Sequence, residues 1–126
     1  MRLVVVCLGG AVGSGARYLL SGWVLRVLGT GFPWGTLAVN LLGSFLLALI
    51  LQVGLETGTP SPTWRLALTT GAMGGFTTYS TLNNETLTYL RESAWLLGAL
   101  NVAGTVLGCL LAGLAGLAVA RWVVGR

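Results

Sequence analysis

The chain has no histidine, lysine or aspartate, and its only carboxylates are Glu56, Glu85 and Glu92. Three scattered acids without histidine give no material for a hydrolytic triad or a carboxylate metal centre. Cys7 and Cys109 stand in separate apolar segments without C-x-x-C spacing. That argues against zinc or redox chemistry and for small buried hydrophobes. Charged residues make up 8% of the chain, against about 25% in a soluble domain.

What is present is apolar. Of the 126 residues, 55% are hydrophobic, and mean hydropathy is +0.85. No soluble core hides that much apolar surface, so the reading is a single all-α domain over residues 1–126, embedded in lipid. A net charge of +4 raises the question of nucleic acid. The seven arginines (2, 17, 26, 65, 91, 121 and 126) are scattered singly, however, which is the pattern of anchors at membrane surfaces.

Four spans are expected, at about residues 3–28, 32–55, 64–91 and 94–124. Each exceeds the roughly 20 residues that cross the hydrocarbon. The loops are short, and Trp23, Trp34, Trp64, Trp95 and Trp122 all fall near span ends, as an aromatic belt requires. The first span has the look of a signal peptide. It runs on past Arg17 and is followed by three more spans, so it is read as retained. The arginines divide four against three, or two, between the faces, which is a weak positive-inside signal. Insertion in both orientations, with opposite copies pairing, is the hypothesis that follows.

Twenty glycines are the second anomaly, with G-x-x-x-G pairs at Gly9/Gly13, Gly71/Gly75 and Gly104/Gly108. Such pairs let helix backbones approach closely. Packing inside one subunit accounts for most of them. Four narrow helices still enclose little volume, so a pore is expected to need a second subunit.

Residues 71–85, GAMGGFTTYSTLNNE, carry the chemistry. Adjacent glycines loosen a helix, and Thr77, Thr78, Ser80 and Thr81 offer hydroxyls to the backbone groups that a break sets free. Irregular backbone at membrane depth is tolerated only where protein buries it or a polar cavity touches it. The third span is therefore expected to be a broken helix around a polar or ionic site. Thr36, Asn40, Gly43 and Ser44 share one face of span two, and the amide of Asn40 must find partners in hydrocarbon. Thr77, Ser80, Thr81 and Asn84 form a stripe after the break, and the Tyr79 ring edge carries partial positive charge. Asn101, Thr105 and Gly108 make a shorter stripe in span four. Glu85 is expected to pair with an arginine near the interface. Arg17, about 21 Å along span one at 1.5 Å per residue, either snorkels or supplies a fixed positive charge to a vestibule. Interior donors without acidic partners suit a small anion, whereas a cation or proton carrier would place Asp or Glu there.

At these residues the sequence resembles the Fluc fluoride channels, also called CrcB proteins. The family pattern G-G-x-T-T-F-S-T-F, followed by an acid, is met by residues 74–82 and Glu85 except at positions 79 and 82. G-x-x-G-x-x-x-R-Y/W is met by Gly10, Gly13, Arg17 and Tyr18, and P-x-G-T-L-x-x-N-x-x-G by Pro33, Gly35, Thr36, Leu37, Asn40 and Gly43. The resemblance implies an antiparallel homodimer of four-helix subunits with two fluoride pores. It also implies an axial structural Na⁺ held by the backbone carbonyls of Gly74 and Thr77. It assigns the pathway to Asn40, Tyr79, Ser80, Thr81, Thr36, Leu82 and Asn101, and the vestibule to Arg17. The implied role is passive expulsion, across the plasma membrane of a prokaryote-type cell, of fluoride that entered as HF. Two departures stand out: Tyr79 replaces one usual Phe and keeps a ring edge, while Leu82 replaces the second and loses it.

Three other readings compete. A small multidrug exporter would need an acid deep in span one, where only Arg17 is charged. An ion-coupled transporter of fluoride or another small anion would need a buried carboxylate or histidine as its carrier. A non-conducting scaffold would leave residues 74–81 and Asn40 without a purpose.

Overall fold

The computed structural model describes residues 1–125, so the surface role read for Arg126 lies outside the described residues. Three long helices dominate: α1 (Arg2–Leu28), α2 (Trp34–Thr57) and the C-terminal α6 (Trp95–Val124). All three are long and apolar enough to cross a membrane. Leu, Val and Trp side chains cover the outside, among them Leu8, Val12, Leu107, Leu111 and the five tryptophans. The buried set, by contrast, mixes Val39, Phe76, Leu82 and Ala120 with Thr36, Asn40, Thr78, Asn101 and Thr105. Apolar outside and partly polar inside is the arrangement that a lipid solvent selects.

Between α2 and α6 the backbone changes character several times. α3 (Pro62–Leu66) starts with proline at a first-turn position, where the missing N–H costs nothing. It passes into a π-helical stretch, Ala67–Met73, and then into α4 (Gly74–Phe76). Thr77 and Thr78 are extended, and α5 (Tyr79–Arg91) resumes the helix. The α2–α3 connection opens at Gly58, whose φ of 70° is the left-handed conformation that glycine adopts without a Cβ clash. Its N–H caps the Gly54 carbonyl at 3.1 Å, and Arg65 Nη1 donates to the same carbonyl at 2.7 Å. Arg65 thus ties α3 to the end of α2 and is more than a surface anchor.

The packing follows the small residues. The π-helical stretch and α4 lie against α1, α6 lies against α2, and α5 lies against α6. Residues 62–91 therefore begin beside α1 and finish beside α6, crossing α2 at the extended residues. Glycine permits the α1 contact. A Cβ on Gly13 would run into the Ala72 carbonyl, and one on Gly71 would come within 2.9 Å of the Val6 carbonyl. A Cβ on Gly75 would stand 2.5 Å from the Gly10 carbonyl. The pairs Gly9/Gly13 and Gly71/Gly75 thus seat α1 on the π-helical stretch of the same chain. The third pair behaves differently: Gly108 meets Leu41, and Gly104 faces open space.

Candidate functional site

The site is built at the two extended residues. In a continuous helix the Thr78 N–H would donate to the Gly74 carbonyl, four residues back. Here it donates to Asn40 Oδ1 at 2.8 Å, and Asn40 Nδ2 donates to the Thr78 carbonyl at 3.1 Å. One side-chain amide thus binds both backbone groups of one residue, in buried surroundings. Each such bond contributes about 1 kcal/mol net, and leaving either group bare in hydrocarbon would cost more. Asn40 keeps one N–H beyond these bonds. Gly43, one turn further along α2, makes room for the turn: its Cβ would strike the Thr77 methyl and stand 3.2 Å from the Phe76 ring.

Thr78 also starts α5. Its Oγ1 accepts from the Thr81 N–H at 3.3 Å, an N-cap, and donates to Thr81 Oγ1 at 2.9 Å. The first N–H groups of α5 therefore follow directly on the residue that Asn40 clamps, with the positive end of the helix dipole behind them.

Two clefts flank this point. One, of about 300 Å³, is lined by Asn40, Ser44, Thr77, Tyr79, Leu82 and Thr105 among others. The second, of about 570 Å³, is lined by Ser14, Arg17, Ser21, Thr36, Thr78 and Thr81 among others. Thr78 borders both. A third cleft, between α1 and residues 63–72, is almost wholly apolar and lies away from the break.

Against the expectations from sequence, Asn40, Thr81, Arg17 and Thr36 come together around Thr78, with Tyr79 and Leu82 on the Asn40 side. Tyr79 is 80% exposed, whereas Leu82 is buried. Ser80 is exposed, and its hydroxyl lies 3.4 Å from that of Thr78. Asn101 is fully buried further along, donating from Nδ2 to Thr86 Oγ1 at 3.1 Å, and it borders neither of these two clefts. Glu85 departs from expectation. Its recorded partner is Thr36, which donates to Oε1 at 2.5 Å, rather than an arginine. The reason is packing, because the α5 turn that carries Glu85 passes Thr36 on α2.

Sequence reasoning did not place Thr78 among the site residues, although all its polar groups are engaged there. The available signal was T-x-x-T at residues 78–81, a hydroxyl three residues before a helical N–H, which is a capping pattern. Ser14, Ser21 and Ser44 line the clefts as well. Their spacing alone did not separate them from packing residues.

The Gly74 and Thr77 carbonyls share one property. The N–H groups four residues ahead of them, on Thr78 and Thr81, donate to side chains instead. Gly74 is exposed, with open space where a Cβ would stand. Two hard oxygens released from helical pairing suit a small hard cation such as Na⁺. Among the described residues no cluster of three or more His, Cys, Asp or Glu offers an alternative.

Residues 4–117 match the family described as CrcB-like protein, Camphor Resistance (CrcB). The chain is 52% identical over 98% of both lengths to a protein of Anaeromyxobacter dehalogenans named fluoride-specific ion channel FluC. Proteins of the same name from Sorangium cellulosum (52% identity over 93% of this chain and 92% of that one) and Geobacter sulfurreducens (45% over 94% and 96%) are similar along nearly their whole lengths.

Proposed function

The chain belongs to the CrcB family, and on that premise we propose that it is a multi-pass membrane channel, not an enzyme, that passes fluoride. The observation that carries the reading is the Asn40–Thr78 clamp. It holds an irregular, donor-rich stretch of backbone inside an apolar bundle, with a cleft on either side to which several hydroxyls contribute. Fluoride holds its water strongly, and stripping it in hydrocarbon costs on the order of tens of kcal/mol unless other donors replace the water. The spare Asn40 N–H, the hydroxyls of Ser80, Thr81 and Thr36, the ring edge of Tyr79 and the first N–H groups of α5 are such donors. Arg17 lends positive charge to the wider cleft, and several weak sites in series let the ion leave. Leu82 continues the proposed path on the α6 side, and Asn101, buried beyond both clefts, supports it through Thr86.

The proposed assembly is a dual-topology antiparallel homodimer in the plasma membrane, with residues 62–91 serving as a fourth, broken span. Its support is the unfinished surface of one chain: Gly74, Tyr79, Ser80 and Thr81 are exposed at the middle of the bundle, where lipid would leave their polar groups unmet. A second copy covers that face in the proposal. It also completes the Na⁺ seat, to which one chain offers only the Gly74 and Thr77 carbonyls. When bound, Na⁺ supplies a fixed positive charge that joins the two copies.

The test is flux from liposomes loaded with fluoride or chloride and read with ion-selective electrodes. Passive fluoride release that greatly exceeds chloride release is expected. Equal release of the two ions, or release of neither, rejects the channel.

A further inference from the structure

The carbonyls of Gly74 and Thr77 are available for a physical reason that lies in two side chains. Each would be closed by an N–H four residues ahead if helix ran through residues 74–81. The Thr78 N–H is diverted to Asn40 Oδ1 at 2.8 Å, and the Thr81 N–H to Thr78 Oγ1 at 3.3 Å. Asn40 also holds the Thr78 carbonyl at 3.1 Å, which fixes the extended turn. Without the two diverting oxygens, both N–H groups are free to close the helix onto the Gly74 and Thr77 oxygens.

We propose that Asn40 and Thr78 are positioning residues for the cation seat, each withholding one N–H so that one backbone carbonyl stays open to Na⁺. This rests on the reading that Na⁺ binds at Gly74 and Thr77. It adds a role for Asn40 separate from any contact with the permeating anion. It also links the two functions, because the amide that offers its spare N–H to the pathway uses its oxygen to keep the seat open. Thr78, which borders both clefts, takes this role through its backbone N–H and its hydroxyl.

The experiment measures the thermal stability of purified full-length protein as Na⁺ is titrated against N-methylglucamine. Wild type is expected to gain stability with a defined half-saturating Na⁺ concentration. Thr78→Ser, which keeps the diverting oxygen, should retain that value. Thr78→Val and Asn40→Leu should raise it at least tenfold, whatever they do to flux. Folded Thr78→Val and Asn40→Leu proteins with the wild-type half-saturation would overturn the positioning role while leaving the Na⁺ seat intact. A wild type indifferent to Na⁺ would overturn the seat itself, and this inference with it. Should both variants fail to fold, ¹³C-carbonyl labelling of glycine and threonine in wild type decides. Resonances of Gly74 and Thr77 should move together on Na⁺ titration, and stationary resonances would reject the proposal.

Discussion

Thr36 Oγ1 donates to Glu85 Oε1 at 2.5 Å, joining α2 to α5 across 49 positions of sequence. The second carboxylate oxygen, Oε2, is buried and has no hydrogen-bond partner among the described residues. The Thr36 hydroxyl is therefore the main partner of Glu85, with the Asn101 amide also near the carboxylate. Thr36→Val keeps the shape and removes the donor, and a loss of about 1–3 kcal/mol is expected, the usual cost of an orphaned buried polar group. Thr36→Ser should stay close to wild type. Unfolding midpoints in detergent compare the three proteins.

The seating of α1 on the π-helical stretch predicts opposite results at two glycines two residues apart. A Cβ on Gly13 would run into the Ala72 carbonyl, whereas one on Gly15 meets nothing within 4 Å. Gly13→Ala should destabilise by about 1–3 kcal/mol, as overpacking does. Gly15→Ala should be neutral or slightly stabilising, because alanine favours helix. Thermal unfolding of the two variants side by side reads the contrast.

Leu82 lines the cleft that Asn40 and Tyr79 border. Leu82→Phe would place a ring edge there and fill part of a space of about 300 Å³. A change in fluoride flux from liposomes is expected, with folding retained because the position already holds a large apolar group. An unchanged rate would remove Leu82 from the pathway.

The arginines divide four against three, or two, between the faces expected from four spans, so the proposed dual topology expects insertion in both orientations. A reporter fused to either terminus should be found on both sides of the membrane in similar amounts. Detection on one side alone would reject dual topology. Adding two or three lysines to one loop should drive most copies into a single orientation and reduce flux, because antiparallel partners become scarce.

Much of the fold was legible because lipid makes simple demands. Long apolar runs separated by Gly29-Thr30-Gly31 and by residues 56–62 translate directly into helices, and the observed bounds of α1, α2 and α6 lie within about two residues of those read from sequence. Asn40 was legible for a related reason: a lone amide in hydrocarbon has to be satisfied, so its burial followed. Its partner was not legible, since the choice of Thr78 over any other backbone group depends on where residues 62–91 cross α2. Glu85 was assigned to an arginine because ion pairs are the commonest way to settle a buried carboxylate. The bundle brought Thr36 within reach instead.

The residues of this chain, taken alone, determined that it lives in lipid, that helices cross it, and that polar groups collect near residues 71–85. Hydropathy, glycine spacing and the scarcity of charge are properties of the polymer and need no neighbours to act. Which N–H meets which oxygen was decided only in three dimensions. The Gly74 and Thr77 carbonyls are open because α2 carries Asn40 to the crossing point and Thr78 turns its hydroxyl back onto Thr81. Hydrogen bonds depend on position to within a fraction of an ångström, and that precision comes from the packing of α1, α2 and α6 around the break.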